Sequence, residues 1–319
     1  MSELSIVTRR ASVWLLRSGI QQPSGGVSRF YRADLEQFRP VSNEITGYAA
    51  AGLVYLFEKT GDQPCLEAAL RAGRFLSREA CLHQAATMPF EPGADKVYFF
   101  DLGIISRGLL SLWRATRERE FFEMAVLCAR SMQRDFGNSP PFNPIVLLPD
   151  KRPMNGGAGW SQRPGCYQLK AAMAWGELAQ AGCSDCRAEL FDDLLHALLE
   201  NHAAFLEEAP DRERLMDRLH AYCYFLEGLL PAAGRPECAR VLEAGIRRVS
   251  NLLRRLRPGF VRSDVYAQLL RLRLYAAALA AAPLDEAAAG EEAAELISFQ
   301  MSSPDARLDG AFSFGKKAG

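Results

Sequence analysis

Apolar residues recur along this chain at helical spacing in long Ala/Leu-rich blocks, and the blocks are of two kinds. From Asn43 to Leu56 the pattern is apolar nearly all round, through Ala49, Ala50, Leu53, Val54 and Leu56, with Phe57 just beyond, and Gly61-Asp62 closes it. A helix without a wet face predicts an inner position. The next block, Leu66 to Leu76, carries Arg71 and Arg74 among its apolar residues and predicts an outer partner. The alternation repeats, with inner helices predicted over about Phe100 to Trp113, Tyr167 to Leu178, Leu219 to Leu230 and Val265 to Leu279. Outer ones are predicted over about Phe121 to Met132, Leu190 to Phe205, Ala239 to Leu256 and Glu286 to Phe299. A further amphipathic outer helix is predicted from Ser2 to Arg17, with Leu4, Val7, Ala11, Trp14 and Leu15 on one face.

Five inner blocks begin alike, on a polar or aromatic cluster. These are Ser42 to Tyr48, Tyr98 to Gly103, Pro164 to Gln168, Asp217 to Tyr222 and Arg262 to Gln268. Tyr48, Asp101, Cys166, His220 and Asp264 are separated by 53, 65, 54 and 44 residues, which suits one helical hairpin per interval. A repeat of that length is the mark of a toroid or solenoid, and it gathers the polar helix starts at one end of the ring. No linker interrupts the rhythm, so residues 1–319 are expected to form one all-α domain. One stretch departs from it, Phe136 to Gly165, rich in Pro and Gly and containing Trp160. A loop of this length in a compact domain suggests a lid over the ring opening, the alternative being a surface insertion.

Composition narrows the function classes. Thirty-eight basic and thirty-eight acidic side chains cancel, so no global field draws the chain to nucleic acid or an anionic membrane. The start, with Arg9 and Arg10, does not read as a signal peptide, and a cytoplasmic protein is expected. Leu269 to Leu284, the most apolar segment, contains Arg271 and Arg273 and is too short to cross a bilayer. Eight scattered cysteines are expected to remain reduced core thiols without a disulfide, Cys183 and Cys186 included.

Several residues together resemble a known superfamily. They are Gly25-Gly26 and Phe30-Tyr31 ahead of Asn43-Glu44-Ile45-Thr46-Gly47-Tyr48, the turn Lys59-Thr60-Gly61-Asp62, Phe100-Asp101 entering a helix with Gly108-Leu109-Leu110, and a late Gln300 followed by Asp309-Gly310-Ala311-Phe312. In pattern and position the chain resembles the six-hairpin, or (α/α)6, barrel proteins of carbohydrate metabolism. These include unsaturated glucuronyl hydrolases, N-acylglucosamine 2-epimerases and glucuronyl epimerase-like proteins. The resemblance implies an (α/α)6 toroid that handles a sugar. Against its twelve helices the sequence supplies eleven, so the last inner helix is missing, and Phe312 to Gly319 reads as chain in mid-course.

The candidate chemistry lies at the inner-helix starts. Glu44, Asp101 and Asp264 would face one common space, where paired carboxylates can serve as general acid and base; alternatively, each simply caps its helix or meets its dipole. The glucuronyl hydrolases use an inner-helix aspartate in acid/base work, and the resemblance puts Asp101 in that role. The 2-epimerases use inner-helix histidines, and His220 is the one histidine here on a predicted inner helix. Tyr48, Trp160, Tyr167, Gln168, Tyr222, Tyr266 and Gln268 are candidate sugar contacts, or else core.

Other motifs are incomplete. Gly310 to Lys317 looks like a phosphate loop but has Lys317 where a Ser or Thr is needed, and Asp192-Asp193 lacks a third acidic residue. Cys166, His220 and Cys223 could meet around zinc only without a paired motif, so neither metal nor cofactor is expected. The reading is a carbohydrate-active protein acting on a uronic-acid-containing or related oligosaccharide or polysaccharide by carboxylate acid/base catalysis as hydrolase, lyase or epimerase. The alternative is a non-catalytic glycan-binding scaffold.

Overall fold

The computed structural model describes residues 3–154, 156–157, 159–207, 209, 211–257 and 259–317, so Ser2 of the first expected helix and the last two residues of the expected tail lie outside it. In chain order the elements are α1 (Glu3–Arg17), β1 (Tyr31–Arg32), β2 (Gln37–Phe38), α2 (Asn43–Thr60), α3 (Gln63–Phe75), β3 (Lys96–Tyr98), α4 (Phe99–Thr116), α5 (Arg119–Asp135), β4 (Ile145–Leu147) and β5 (Arg152–Pro153). They continue with α6 (Gln168–Gln180), α7 (Glu189–Asn201), the single turn α8 (Ala204–Glu207), α9 (Arg212–Leu229), α10 (Pro236–Leu256), β6 (Phe260–Arg262), α11 (Ser263–Ala278), α12 (Glu286–Ile297) and β7 (Gly315–Lys317).

Helices α2, α4, α6, α9 and α11 are successive neighbours and form the inner wall, while α3, α5, α7, α10 and α12 pack outside them. The sequence dictates this division. Helix α4 is buried almost all round, from Phe99 to Leu112, whereas α10 buries Cys238, Leu242, Ile246, Val249 and Leu253 on one stripe and leaves its arginines to solvent. Small residues let the inner helices approach closely. A Cβ on Gly108 would collide with the Gly47 carbonyl of α2, and one on Gly103 with Ala171 of α6. Helix α2 starts where Ser42 Oγ accepts from the Ile45 amide and stops at Gly61, whose φ of 71° suits glycine.

The structure alters several boundaries. Helix α9 begins at Arg212, because Asp211 caps it by accepting from the Arg214 amide at 2.7 Å, so His220 stands more than two turns inside the helix. The described residues of 136–165 are not structureless. Strand β4 pairs antiparallel with β3 and β5, and Phe142, Ile145 and Val146 are buried, which fastens the first half to the core. The segment that looked like a phosphate loop ends in β7, antiparallel to β6 with Gly315 opposite Arg262.

The expectation of eight free thiols is also corrected. Cys183 and Cys186 form a disulfide across the turn between α6 and α7, with Cα atoms 5.5 Å apart. The expectation rested on the general state of cytosolic thiols, while the tight turn brings this pair together.

Beside α11 and α2 there is no sixth inner helix among the described residues. Residues 298–317 run back instead toward the start of the chain. Gln300 Nε2 donates to the Val7 carbonyl at 2.9 Å, Arg10 to the Met301 carbonyl at 2.7 Å and to Asp309 at 2.8 Å, and Trp14 Nε1 to the Arg307 carbonyl at 2.9 Å. No helix among the described residues is long and apolar enough to cross a membrane.

Candidate active site

The inner-helix starts bring two carboxyl groups into one buried neighbourhood. Glu44 is the second residue of α2 and Asp101 the third of α4, 8% exposed. Burial pushes the Glu44 carboxyl up to about 7, partly offset by the charges of Lys170 and Arg29. Burial, then the Glu44 charge, pushes Asp101 well above the ordinary range, with Arg29 opposing. Burial and mutual repulsion thus both favour the protonated form of the two acids.

Below them stands a group that the sequence reading missed. Lys170 of α6, 5% exposed, places Nζ 3.0 Å from Glu227 Oε2 and over the rings of Tyr48 and Tyr224, 4.8 and 4.2 Å from their centroids. Glu227 of α9 also meets Arg271 of α11 at 2.7 Å and Arg107 of α4 at 3.7 Å. Four inner helices thus converge on one buried carboxylate. Burial pushes Lys170 down to about 8 against the pull of Glu227. Burial would raise Glu227, but Lys170, Arg271 and Arg107 outweigh it and hold it at about 2. The available signal was an isolated charge inside an apolar helical pattern, since such charges are buried only when paired. Tyr48 Oη is buried without a hydrogen-bond partner, although the Tyr224 hydroxyl lies beside it.

His220 and Asp264 meet although His220 lies more than two turns inside α9, and Asp264 pairs with His220 and Arg262 rather than with Asp101. His220 Nδ1 lies 3.1 Å from Asp264 Oδ2 and 3.1 Å from Gln268 Nε2. Donation from Nδ1 to the Asp264 carboxylate calls for the Gln268 amide to turn its oxygen toward the ring. Gln268 Oε1 is otherwise buried without a partner. The other ring nitrogen, Nε2, makes no hydrogen bond to the described residues. Burial pushes His220 down to about 4, against Asp264 and with Arg262 and Lys170, so the ring is neutral at physiological pH. Its edge meets Tyr224, centroids 4.6 Å apart. Tyr224 also packs on Phe100, the residue before Asp101, at 4.7 Å, so it links the start of α4 to the histidine.

From the second half of the 136–165 segment, Trp160 reaches the histidine. Trp160 meets Tyr167 edge-on at 4.9 Å and His220 at 6.5 Å. Tyr167 is itself buried and donates to the Arg163 carbonyl at 2.9 Å, so it anchors the segment. Gln168 Nε2 donates to the Phe142 carbonyl at 3.0 Å within the wall. Two candidates lie elsewhere. The Tyr222 hydroxyl is 2.8 Å from His202 Nδ1, toward the outer layer, and Tyr266 packs on Phe299 with Glu295 and Arg257 nearby. Both follow from the helical period, which turns residues 222 and 266 away from the faces that carry 220, 264 and 268. Among the described residues no three His, Cys, Asp or Glu side chains gather as a set able to hold a metal ion.

Five inner helices with a polar mouth at their N-termini, wrapped by outer helices, define an α/α toroid of the (α/α)6-barrel fold, without a sixth inner helix among the described residues. Among solved structures the chain is similar to cellobiose 2-epimerase from Spirochaeta thermophila DSM 6192, at 13% identity and a TM-score of 0.75, over 99% of this chain and 89% of that one. A sugar epimerase from a ruminal bacterium matches at 10% identity and 0.72, over 99% and 91%. A D-mannose isomerase matches at 10% and 0.63, over 99% and 90%. At such identities the likeness establishes the fold. No family model and no curated protein sequence matches the chain.

Proposed function

We propose that this protein acts on a carbohydrate by proton transfer, as an epimerase or isomerase, with His220 as base and the Glu44–Asp101 pair as acid. The observation that carries this reading is a neutral histidine, oriented at Nδ1 by Asp264 and without a partner at Nε2, near two carboxyl groups that burial biases toward the protonated form. Removing a proton from a carbon beside a carbonyl needs a base at the carbon and a donor at the carbonyl oxygen. His220 Nε2 takes the carbon-bound proton while the Asp101 carboxyl gives its proton to the oxygen, forming an enediol. His220 then returns its proton while the Asp101 carboxylate takes one back from an enediol hydroxyl: delivery to the neighbouring carbon gives the isomer, and delivery to the opposite face of the first carbon, after the enediol turns before His220, gives the epimer. Tyr48 and Tyr224 supply hydroxyls, and Trp160 covers the sugar.

The cations around the site favour a neutral sugar over a uronate. Lys170 is engaged by Glu227, Arg262 by Asp264 and Asp217, and Arg29 lies 3.8 Å from Glu91, so none of these three is left over for a substrate carboxylate. The solved neighbours of this fold that are named cellobiose 2-epimerase and D-mannose isomerase belong to the same reaction class.

The test is chromatography of neutral reducing hexoses and disaccharides incubated with the protein, its His220→Gln variant and its Asp101→Asn variant. New epimers or ketoses that vanish in both variants support the reading. Bound but unchanged sugars would replace it with a glycan-binding role, and cleaved disaccharides with hydrolysis.

A further inference from the structure

Asp264 touches His220, yet its charge belongs to another residue. Arg262, the last residue of β6, reaches across the turn into α11 and takes both carboxylate oxygens, Nε to Oδ1 at 3.0 Å and Nη2 to Oδ2 at 2.5 Å. Its third nitrogen, Nη1, donates to Asp217 Oδ1 of α9 at 2.6 Å. Arg262 is 7% exposed, and its guanidinium lies 4.5 Å from the centroid of the Phe314 ring, which precedes β7. The oxygen held by Nη2 is the one that faces His220 Nδ1. A two-pronged Arg–carboxylate pair fixes direction as well as distance. A carboxylate freed of that grip would favour the imidazolium more strongly and raise the pH at which the ring takes up a proton.

We propose that Arg262 is a positioning residue for His220: it fixes the Asp264 carboxylate against Nδ1 and offsets part of its charge, so the ring keeps one orientation with Nε2 left to accept a proton. This rests on the reading of His220 as the base, but its test reads the ring itself and needs no substrate. The polar groups facing the ring are Asp264 and Gln268 from α11, Arg262 from β6, Lys170 from α6, Tyr224 from α9 and Trp160 from the 136–165 segment. Of the charged ones only Asp264 favours the cation, and Arg262 and Lys170 oppose it. Loss of Arg262 removes an opposing charge and unmasks Asp264, so both effects favour protonation.

The measurement is an NMR titration of the carbon-bound imidazole protons, with the His220 signal assigned among the four histidines by its absence in His220→Gln. In Arg262→Met the His220 midpoint is expected to rise by about one pH unit or more toward the ordinary histidine value near 6.5. Asp217→Asn, which removes the other partner of Arg262, should leave it nearly unchanged. A residue that only braced the fold would lower stability without moving this midpoint, so an unshifted His220 in Arg262→Met overturns the proposal. Arg262→Lys keeps the charge but not the grip and covers the case in which the methionine variant does not fold. Its His220 signal should split or broaden as the ring samples a second orientation, and a single sharp signal like the wild type's would equally overturn it. If the midpoint moves and no sugar is turned over, Arg262 still positions the ring and the enzymatic reading is what fails.

Discussion

Replacing Glu227 by Gln keeps the shape of the side chain and removes the negative charge on which Lys170, Arg271 and Arg107 converge. Arg107 retains Glu177 at 2.8 Å, and Arg271, whose side chain is 46% exposed, can turn to water. Lys170, with 6% of its side chain exposed, can do neither, so the damage concentrates there. The Glu227 carboxyl sits at about 2 rather than the usual 4.5, and that difference corresponds to about 3 kcal/mol at neutral pH. Breaking a buried ion pair by removing one member costs roughly 3–5 kcal/mol, which agrees. Because the folded value lies below the unfolded one, the contribution is complete above about pH 4.5 and drains away as pH falls toward about 2. Urea unfolding of wild type and Glu227→Gln should therefore differ by about 3–5 kcal/mol at pH 7 and by roughly half of that or less at pH 3. Adding Lys170→Met should restore much of the loss, since both charges are then gone. A difference under about 1 kcal/mol at pH 7, or one independent of pH, would refute the claim that this pair is buried and interdependent.

Other outcomes follow from the same geometry. Glu44 is held up at about 7, so its proton is present below that pH and lost above it; turnover should fall on the alkaline side of about pH 7, and Glu44→Gln should abolish that limb of the pH–rate profile. Gly108→Ala drives a methyl into the Gly47 carbonyl where α2 and α4 cross and should cost roughly 1–3 kcal/mol in thermal unfolding, while Gly52→Ala, on an open face of α2, should be neutral or stabilising by about 0.5–1 kcal/mol. Thiol titration of the unfolded chain should find six reactive cysteines before reduction and eight after it, and eight throughout would remove the Cys183–Cys186 bond from the account.

The ring was legible in the sequence because its division into inner and outer helices is a division of exposure, and the hydrophobic period reports exposure directly. Helix α10, with arginines on one side and Leu242, Ile246 and Val249 on the other, could be read at sight. The start of α9 could not, because Arg212 to Met216 look like a polar connection until Asp211 is seen to cap them. The small sheets escaped because β3, β4, β6 and β7 have three residues each, too few to show a period of two, and their partners are distant in sequence.

At the site, Glu44, Asp101 and Asp264 were found because they stand near helix starts, where polar residues signal an opening, and His220 because it is a lone histidine in an inner-helix pattern. Their pairing was not legible: Asp264 was grouped with Asp101, whereas Arg262 takes it and turns it to His220. Lys170 and Glu227 were passed over because two charges 57 positions apart in apolar patterns give no sign that they face each other until the helices are packed.

Proton NMR of neutral reducing sugars held with the protein in heavy water tests the central claim most directly. Proton transfer at His220 predicts that the proton on the carbon beside the carbonyl exchanges for deuterium with every glycosidic bond intact, and that His220→Gln stops the exchange. Sugars that bind with that proton retained, or that release new reducing ends, would contradict it.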